Sequence, residues 1–109
     1  MQLIKTIFHP HKLEEVQHAL NDLHVSSMTI SEVIGNAEGT GVTKVYRGVA
    51  YVERTRRQIQ IEFIVTDDAT DDAVRAILKA ARTGTADDGV IWITPMTGSY
   101  NIRTGNWAG

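Results

Sequence analysis

Four groups of side chains in this sequence could do chemistry. His9 and His11 bracket Pro10, with His18 and His24 further along. Two imidazoles one residue apart can bind a metal, but structural zinc needs a fuller, closed ligand set. The chain has no cysteine, so disulfides, thiolate metal sites and cysteine nucleophiles are excluded. The pair is read as surface histidines at a strand-to-helix turn, and no metal site is assigned. Asp67, Asp68, Asp71 and Asp72 suggest Mg²⁺, yet at the start of a helix they are accounted for as caps and as partners of the helix dipole. Glu62 could be a lone general base, but no nucleophile or second titratable group is visible beside it. The chain is therefore read as not an enzyme. The last group suits anions. TGTADDG at 83–89 is a glycine-bearing turn whose backbone N–H groups could form an anion-binding nest, although plain helix-to-strand turns look much the same. Lys44, Arg47, Arg54, Arg56 and Arg57 form a local positive region within the glycine-rich stretch 35–58, and such a region can meet phosphate or an acidic partner.

These groups need elements to hold them. The 109 residues suggest one domain, and 42% hydrophobic with 22% charged residues is ordinary for a globular chain. QLIKTIF at 2–8 is β-rich and stops at Pro10. Leu13, Val16, Leu20 and Leu23 recur at spacings of three and four, with Glu14 and Glu15 in the first turn, which predicts an amphipathic helix. VSSMTISEVI at 25–34 alternates as a strand, with Met28, Ile30, Glu32 and Ile34 on one face. QIQIEFIV at 58–65 alternates cleanly, placing Ile59, Ile61, Phe63 and Val65 together. TDDATDD offers several N-caps, Ala73, Val74, Ile77, Leu78 and Ala81 form a second helical stripe, and Gly84 stands where a helix would end. GVIWITPM is a fourth strand, and the rest reads as a polar tail. Strand, helix, strand, long loop, strand, helix, strand is the order of an α+β, ferredoxin-like split-βαβ fold. Two helices cover only one sheet face. Met28, Trp92 and several aliphatics cannot all lie beneath them, which predicts that part of the sheet meets another copy of the chain.

The stretch 36–57 is long for a link between neighbouring strands, and a loop of that length in a small domain tends to be functional. VYRGVAYV would be wasted in a spacer but suits a contact surface. A net charge of −2 gives no general pull toward nucleic acid, and QIQIEFIV offers only Phe63, on the core face, where RNA-binding sheets need exposed aromatics. No segment approaches the ~18 apolar residues of a membrane span, and the N-terminal apolar run is too short for a signal peptide. The expected setting is the cytoplasm, without membrane insertion or nucleic acid.

At this point the sequence resembles the PII signal-transduction family, from residue 1 to about 105. The stretch at about 36–57 falls on the family's T-loop, with YRGVAY close to its modification motif. TGTADDG at 83–89 falls on its B-loop. NIRTG, within the C-terminal segment 99–109, falls on its nucleotide-binding end. HPHKLEEVQHAL, MTISEVIG and TDD match further family stretches in the same order. The resemblance implies a homotrimer with ATP, ADP or AMP in clefts between neighbours. It also implies a T-loop that changes shape with the ligand and docks on a membrane transporter or metabolic enzyme. Thr29 and Glu62 would engage the adenine, with Ile7 and Ile64 as apolar walls. Gly35, Thr83, Gly84, Asp88, Gly89 and Arg103 would surround ribose and phosphates. Lys44, Tyr46, Arg47, Tyr51 and Arg54 would belong to the partner-binding T-loop. Tyr51 aligns with the tyrosine that some members have uridylylated, although Val49 departs from that motif.

Other departures bear on the ligand. The resembled family has a lysine where this chain has Val90, and arginines where it has Glu38 and Asn101. Each lost charge-assisted hydrogen bond removes on the order of 1.5–3 kcal/mol, with ATP suffering most and ADP and AMP less. Gly39 replaces a glutamine that helps hold Mg²⁺, which leaves a metal requirement open. Gln58 replaces the lysine that pairs with 2-oxoglutarate, so weak or absent 2-oxoglutarate binding is expected. Two other readings stand beside this one: a sensor of another small anion such as bicarbonate, and a small phosphatase or nucleotidase on the same fold.

Overall fold

The computed structural model describes residues 1–25, 27–36, 42–53 and 55–109, without the side chains of 42–44 and 51–53. In chain order the elements are β1 (Gln2–Phe8), a 3₁₀ turn, α1 (Leu13–Asp22), β2 (Met28–Asn36), β3 (Val42–Tyr46), β4 (Val49–Glu53), β5 (Thr55–Val65), a second 3₁₀ turn, α2 (Thr70–Ala81), β6 (Gly89–Pro95), β7 (Ser99–Tyr100) and β8 (Trp107–Ala108). The main sheet runs β2-β5-β1-β6, and each neighbouring pair is antiparallel. Two βαβ units interleaved in this way make the ferredoxin-like α+β fold.

The alternation in β5 decides which face is covered. Ile59, Ile61, Phe63 and Val65 are buried, and so are Ile4 and Phe8 of β1 beside them. Val16 and Leu20 of α1, with Ala73, Ile77 and Ala81 of α2, close over that face to form one core. Thr6 is the buried polar residue among them. Its hydroxyl donates to the Val90 carbonyl at 3.1 Å, so it carries no unpaired polar atom into the core.

Met28 and Trp92 part company. Met28 stands opposite Phe63 and packs against the core, so it belongs to the helix-covered face. Trp92 stands opposite Lys5 on the other face and is 46% exposed. Ile34, at 75% exposure, lies on the helix-side face of β2, where the strand runs on past the helices.

α1 ends one residue before Leu23, which is left exposed. The reason is a Schellman turn. The Val25 N–H reaches the Leu20 carbonyl at 3.0 Å and the His24 N–H reaches that of Asn21 at 2.9 Å. Val25 tucks into the core. His24 occupies the left-handed region with φ 64°, a conformation that costs a β-carbon-bearing residue roughly 1–2 kcal/mol. His24→Gly relieves that cost but adds freedom to the unfolded chain. A net gain of about 0.5 kcal/mol and a rise in Tm of roughly 2–4 °C are expected by thermal denaturation.

The acids before α2 act differently from the expected caps. The helix starts after Ala69 without a side-chain cap. The Thr70 hydroxyl donates back to the Thr66 carbonyl. Asp67 instead accepts hydrogen bonds from the Met1 ammonium at 2.7 Å and from Gln2 at 3.1 Å, which hold its carboxyl below the usual carboxylate range. Asp71 and Asp72 do lie in the first turn, where the dipole favours them.

Two stretches read as irregular carry hairpins. Within 36–57, β3 pairs with β4 from Val42 opposite Glu53 to Tyr46 opposite Val49. Arg47 and Gly48, the two residues between, have φ values of 53° and 78°. Positive φ at both central positions is the type I′ hairpin turn, whose twist matches that of the flanking strands. The Arg47 guanidinium lies 5.4 Å from the centre of the Tyr46 ring, a cation–π contact at the tip. Near the C-terminus, β7 and β8 pair Tyr100 with Trp107, and their rings meet at 5.0 Å.

Candidate nucleotide-binding site

The loop 83–89 is built around one carboxylate. Asp88 accepts from the backbone N–H groups of Thr83 at 2.9 Å and Gly84 at 2.8 Å. The Thr85 hydroxyl donates to it at 3.2 Å, and the Thr83 hydroxyl forms a further short hydrogen bond. The Thr83 hydroxyl above all, then the two backbone amides and Thr85, hold the Asp88 carboxyl well below the usual carboxylate range. Gly84 takes φ 93° to make the turn. Gly89 begins β6 with φ 124°, and a β-carbon there would lie 1.9 Å from the Ile7 carbonyl oxygen. Glycine at 89 thus lets the loop end directly against β1.

The neighbouring Asp87 is engaged from two sides. It forms an ion pair with Arg56 of β5, and His9 Nε2 lies 3.9 Å from it and 3.6 Å from Asp88. The His11 ring stacks on His9 at 5.5 Å. Arg56 itself sits opposite Gly35 of β2. The end of β1, the base of the β3–β4 hairpin and the loop 83–89 therefore converge on one place. Ile7, Asp88 and Gly89 line a groove of about 340 Å³ that they share with Val74, Ile77 and Ile91.

The adenine-binding candidates lie elsewhere. Thr29 is opposite Glu62 across β2 and β5, and Glu62 is opposite Lys5 across β5 and β1. The Glu62 carboxylate accepts from Gln60 Nε2 at 2.9 Å and lies 3.8 Å from Lys5 Nζ. Thr29, Glu62 and Ile64 line a separate hollow of about 500 Å³ with Leu3 and His24. Ile64 is opposite Leu3, whereas Ile7 is opposite Gln60. Four residues of strand separate the two rows, about 13 Å at the usual rise. A planar base fits between walls only about 7–8 Å apart. One chain therefore does not bring Ile7 and Ile64 onto the same ring.

Arg103 is exposed in the turn between β7 and β8. Ile102 beside it is fully exposed. Asn101 is used to close that turn. Its side-chain oxygen accepts from the Thr104 N–H at 3.1 Å, its own N–H donates to the Asn106 carbonyl at 2.9 Å, and its carbonyl accepts from Gly105 at 2.7 Å.

A sequence model of the family described as nitrogen regulatory protein P-II matches residues 1–106. The chain is similar to the "Nitrogen regulatory protein P-II" of Cereibacter sphaeroides, with 40% identity over 96% of this chain and 94% of the relative. The protein of the same description from Azospirillum brasilense is 37% identical over the whole chain and 97% of its own length. That from Nostoc punctiforme is 39% identical over 96% and 94%. The chain belongs to the P-II family. The family is one of regulatory proteins, and membership places the chain among signal-transduction regulators.

The positions read from the resemblance as departures have definite places in the fold. Val90, 41% exposed, stands opposite Ile7 on β6 and offers the loop 83–89 no charge. Gln58 stands opposite Val33, and its side-chain oxygen fills the space beside Gly35. Glu38, Gly39 and Arg54 lie outside the described residues, as do the side chains of Lys44 and Tyr51. Tyr46 and Arg47 are exposed at the hairpin tip. Among the described residues no cluster of three or more metal-ligating side chains is formed, and no helix is long and apolar enough to cross a membrane. Asp87 was not singled out in the sequence. Its only signal was a second acid beside Asp88 in a short loop, and its partner Arg56 is 31 residues away along the chain.

Proposed function

We propose that the protein is a P-II-type regulator that takes an adenine nucleotide in clefts between three copies of itself. Through the arm at 36–57 it passes the state of those clefts to a membrane transporter or a metabolic enzyme in the cytoplasm. The observation that carries this reading is the division of the candidate residues. Ile7, Asp88 and Gly89 line one groove, with Thr83 and Gly84 bonded to Asp88 beside it and Gly35 opposite the Arg56 that pairs with Asp87, whereas Thr29, Glu62 and Ile64 line a different hollow. Each group is half a site, one beside the turn at 83–89 and one with polar groups suited to a base edge. Two half-sites on one chain become whole sites when copies are arranged head to tail in a closed ring. Exposed Ile30, Ile34 and Ile93 on the two edge strands of the sheet supply apolar surface for such contacts.

The ligand preference follows from the charges present. With Val90 and Asn101 contributing no cation, ATP loses more than ADP or AMP, and Gln58 gives 2-oxoglutarate no ammonium partner. A thermal-shift panel with ATP, ADP, AMP, cyclic AMP, 2-oxoglutarate and bicarbonate, paired with light-scattering mass, tests the proposal. A ligand that binds only the native state at a hundred times its Kd adds about 2.7 kcal/mol. A trimeric mass is expected, with a clear rise in Tm for ADP or AMP and no further rise when 2-oxoglutarate is added to Mg²⁺ and ATP. A lone subunit, or no response to any adenosine compound at millimolar concentration, sinks the reading. A response to bicarbonate alone replaces it with a small-anion sensor.

A further inference from the structure

We propose that Arg56 is this chain's phosphate-sensing cation and that Asp87 holds it in reserve, so that a nucleotide phosphate must take Arg56 from Asp87. The inference rests on the nucleotide-binding reading above and adds the residues that would register the phosphate. Two observations support it. Arg56 is the second residue of β5 and follows directly on the β3–β4 hairpin, so its position is tied to where the arm leaves the body. Its ion pair with Asp87 reaches across to the loop 83–89, the turn that would meet phosphates.

Charge makes the exchange necessary. Asp87 and Asp88 place two carboxylates in a loop that would hold an anion. Asp88 is compensated within the loop by four donors. Asp87 has no such cradle among the described residues and faces Arg56, with His9 at 3.9 Å. A phosphate entering the loop is repelled by Asp87 and attracted by Arg56. A guanidinium can present its fork to phosphate as readily as to carboxylate. When it turns, the bond between loop and arm base is released, and the phosphate is thereby coupled to the arm.

Four full-length proteins decide the matter: wild type, R56Q, D87N and the double variant. Calorimetry with ADP and AMP reads the phosphate step, and hydrogen exchange across 42–57 without nucleotide reads the latch. R56Q is expected to weaken ADP about tenfold and AMP less. D87N is expected to tighten ADP several-fold, because a competitor for Arg56 is gone. Exchange in the arm is expected to rise equally in both single variants and no further in the double one. If ADP binds all four proteins with one affinity, the inference is overturned and the nucleotide reading stands. If no adenine nucleotide binds any of them, the nucleotide reading fails and takes the phosphate exchange with it. Additive exchange effects, or none, overturn the latch in either case.

Discussion

Gly89→Ala is expected to be the most damaging of the glycine-to-alanine changes among the described residues, costing about 2–4 kcal/mol and lowering Tm by roughly 10–25 °C. Two costs coincide there. The residue has φ 124°, and a β-carbon would stand 1.9 Å from the Ile7 carbonyl oxygen and 3.1 Å from the Phe8 α-carbon. Both neighbours are backbone atoms in the central strand, so relief requires β6 to move away from β1. That movement breaks the pairing of Phe8 with Gly89 and of Ile7 with Val90 and drags the Thr6–Val90 bond out of the core. Gly84 is the control. Its φ of 93° carries a similar conformational cost, but nothing lies within 4 Å of its missing side chain. Gly84→Ala should therefore cost only about 1–2 kcal/mol. If thermal denaturation gives the two variants the same loss, the close approach of Gly89 to β1 is not what the position demands.

Parts of this architecture were legible because each rests on a local, repeating pattern. The period of two in QIQIEFIV put Ile59, Ile61, Phe63 and Val65 on one face, and all four are buried. The three-and-four spacing of Val16 and Leu20, and of Ala73, Ile77 and Ala81, marked the faces that cover them. Where the outcome depended on the turn, the pattern failed. YRGV closes a type I′ hairpin with an arginine at positive φ, whereas the usual signal is Asn-Gly or Asp-Gly. The C-terminal hairpin has two-residue strands, too short for any periodicity, and is held by Tyr100 against Trp107. His24 ended α1 a residue ahead of its apolar stripe, because the Schellman bonds are backbone bonds that ignore side-chain spacing.

The candidate site divides along the same line. Residues within one short loop could be grouped from sequence, and Thr83, Gly84 and Asp88 are indeed bonded to one another. The contact of Asp87 with Arg56 was invisible, since it depends on how β5 lies beside β1 and where β6 begins. The distance between Ile7 and Ile64 was equally hidden. It is fixed by the register that sets Leu3, not Ile7, opposite Ile64, and a shift of register would have rearranged every pair.

Asp88→Ala is expected to unmake the loop 83–89 and to reduce ADP affinity by at least about tenfold. The Asp88 carboxylate gathers two backbone N–H groups and two hydroxyls, and alanine returns all four donors to water. The amides of Thr83 and Gly84 should then lose their protection in hydrogen exchange, while those of β1 and β5 keep theirs. Asp88→Asn separates shape from charge. The amide oxygen can still accept, but a neutral acceptor holds the Thr83 hydroxyl and the two amides less strongly, so an intermediate loss is expected. The pH dependence has a definite sign. The folded-state pKa of Asp88 is depressed below an unfolded value of about 3.9, so its contribution is fully present above that value and is lost as the pH falls through the folded pKa. The difference in Tm between wild type and Asp88→Ala should stay constant from about pH 5 to 8 and narrow only in stronger acid. A difference that instead vanished near neutral pH, well above the range in which this carboxylate takes up its proton, would show that Asp88 and its four donors do not set the order of the loop.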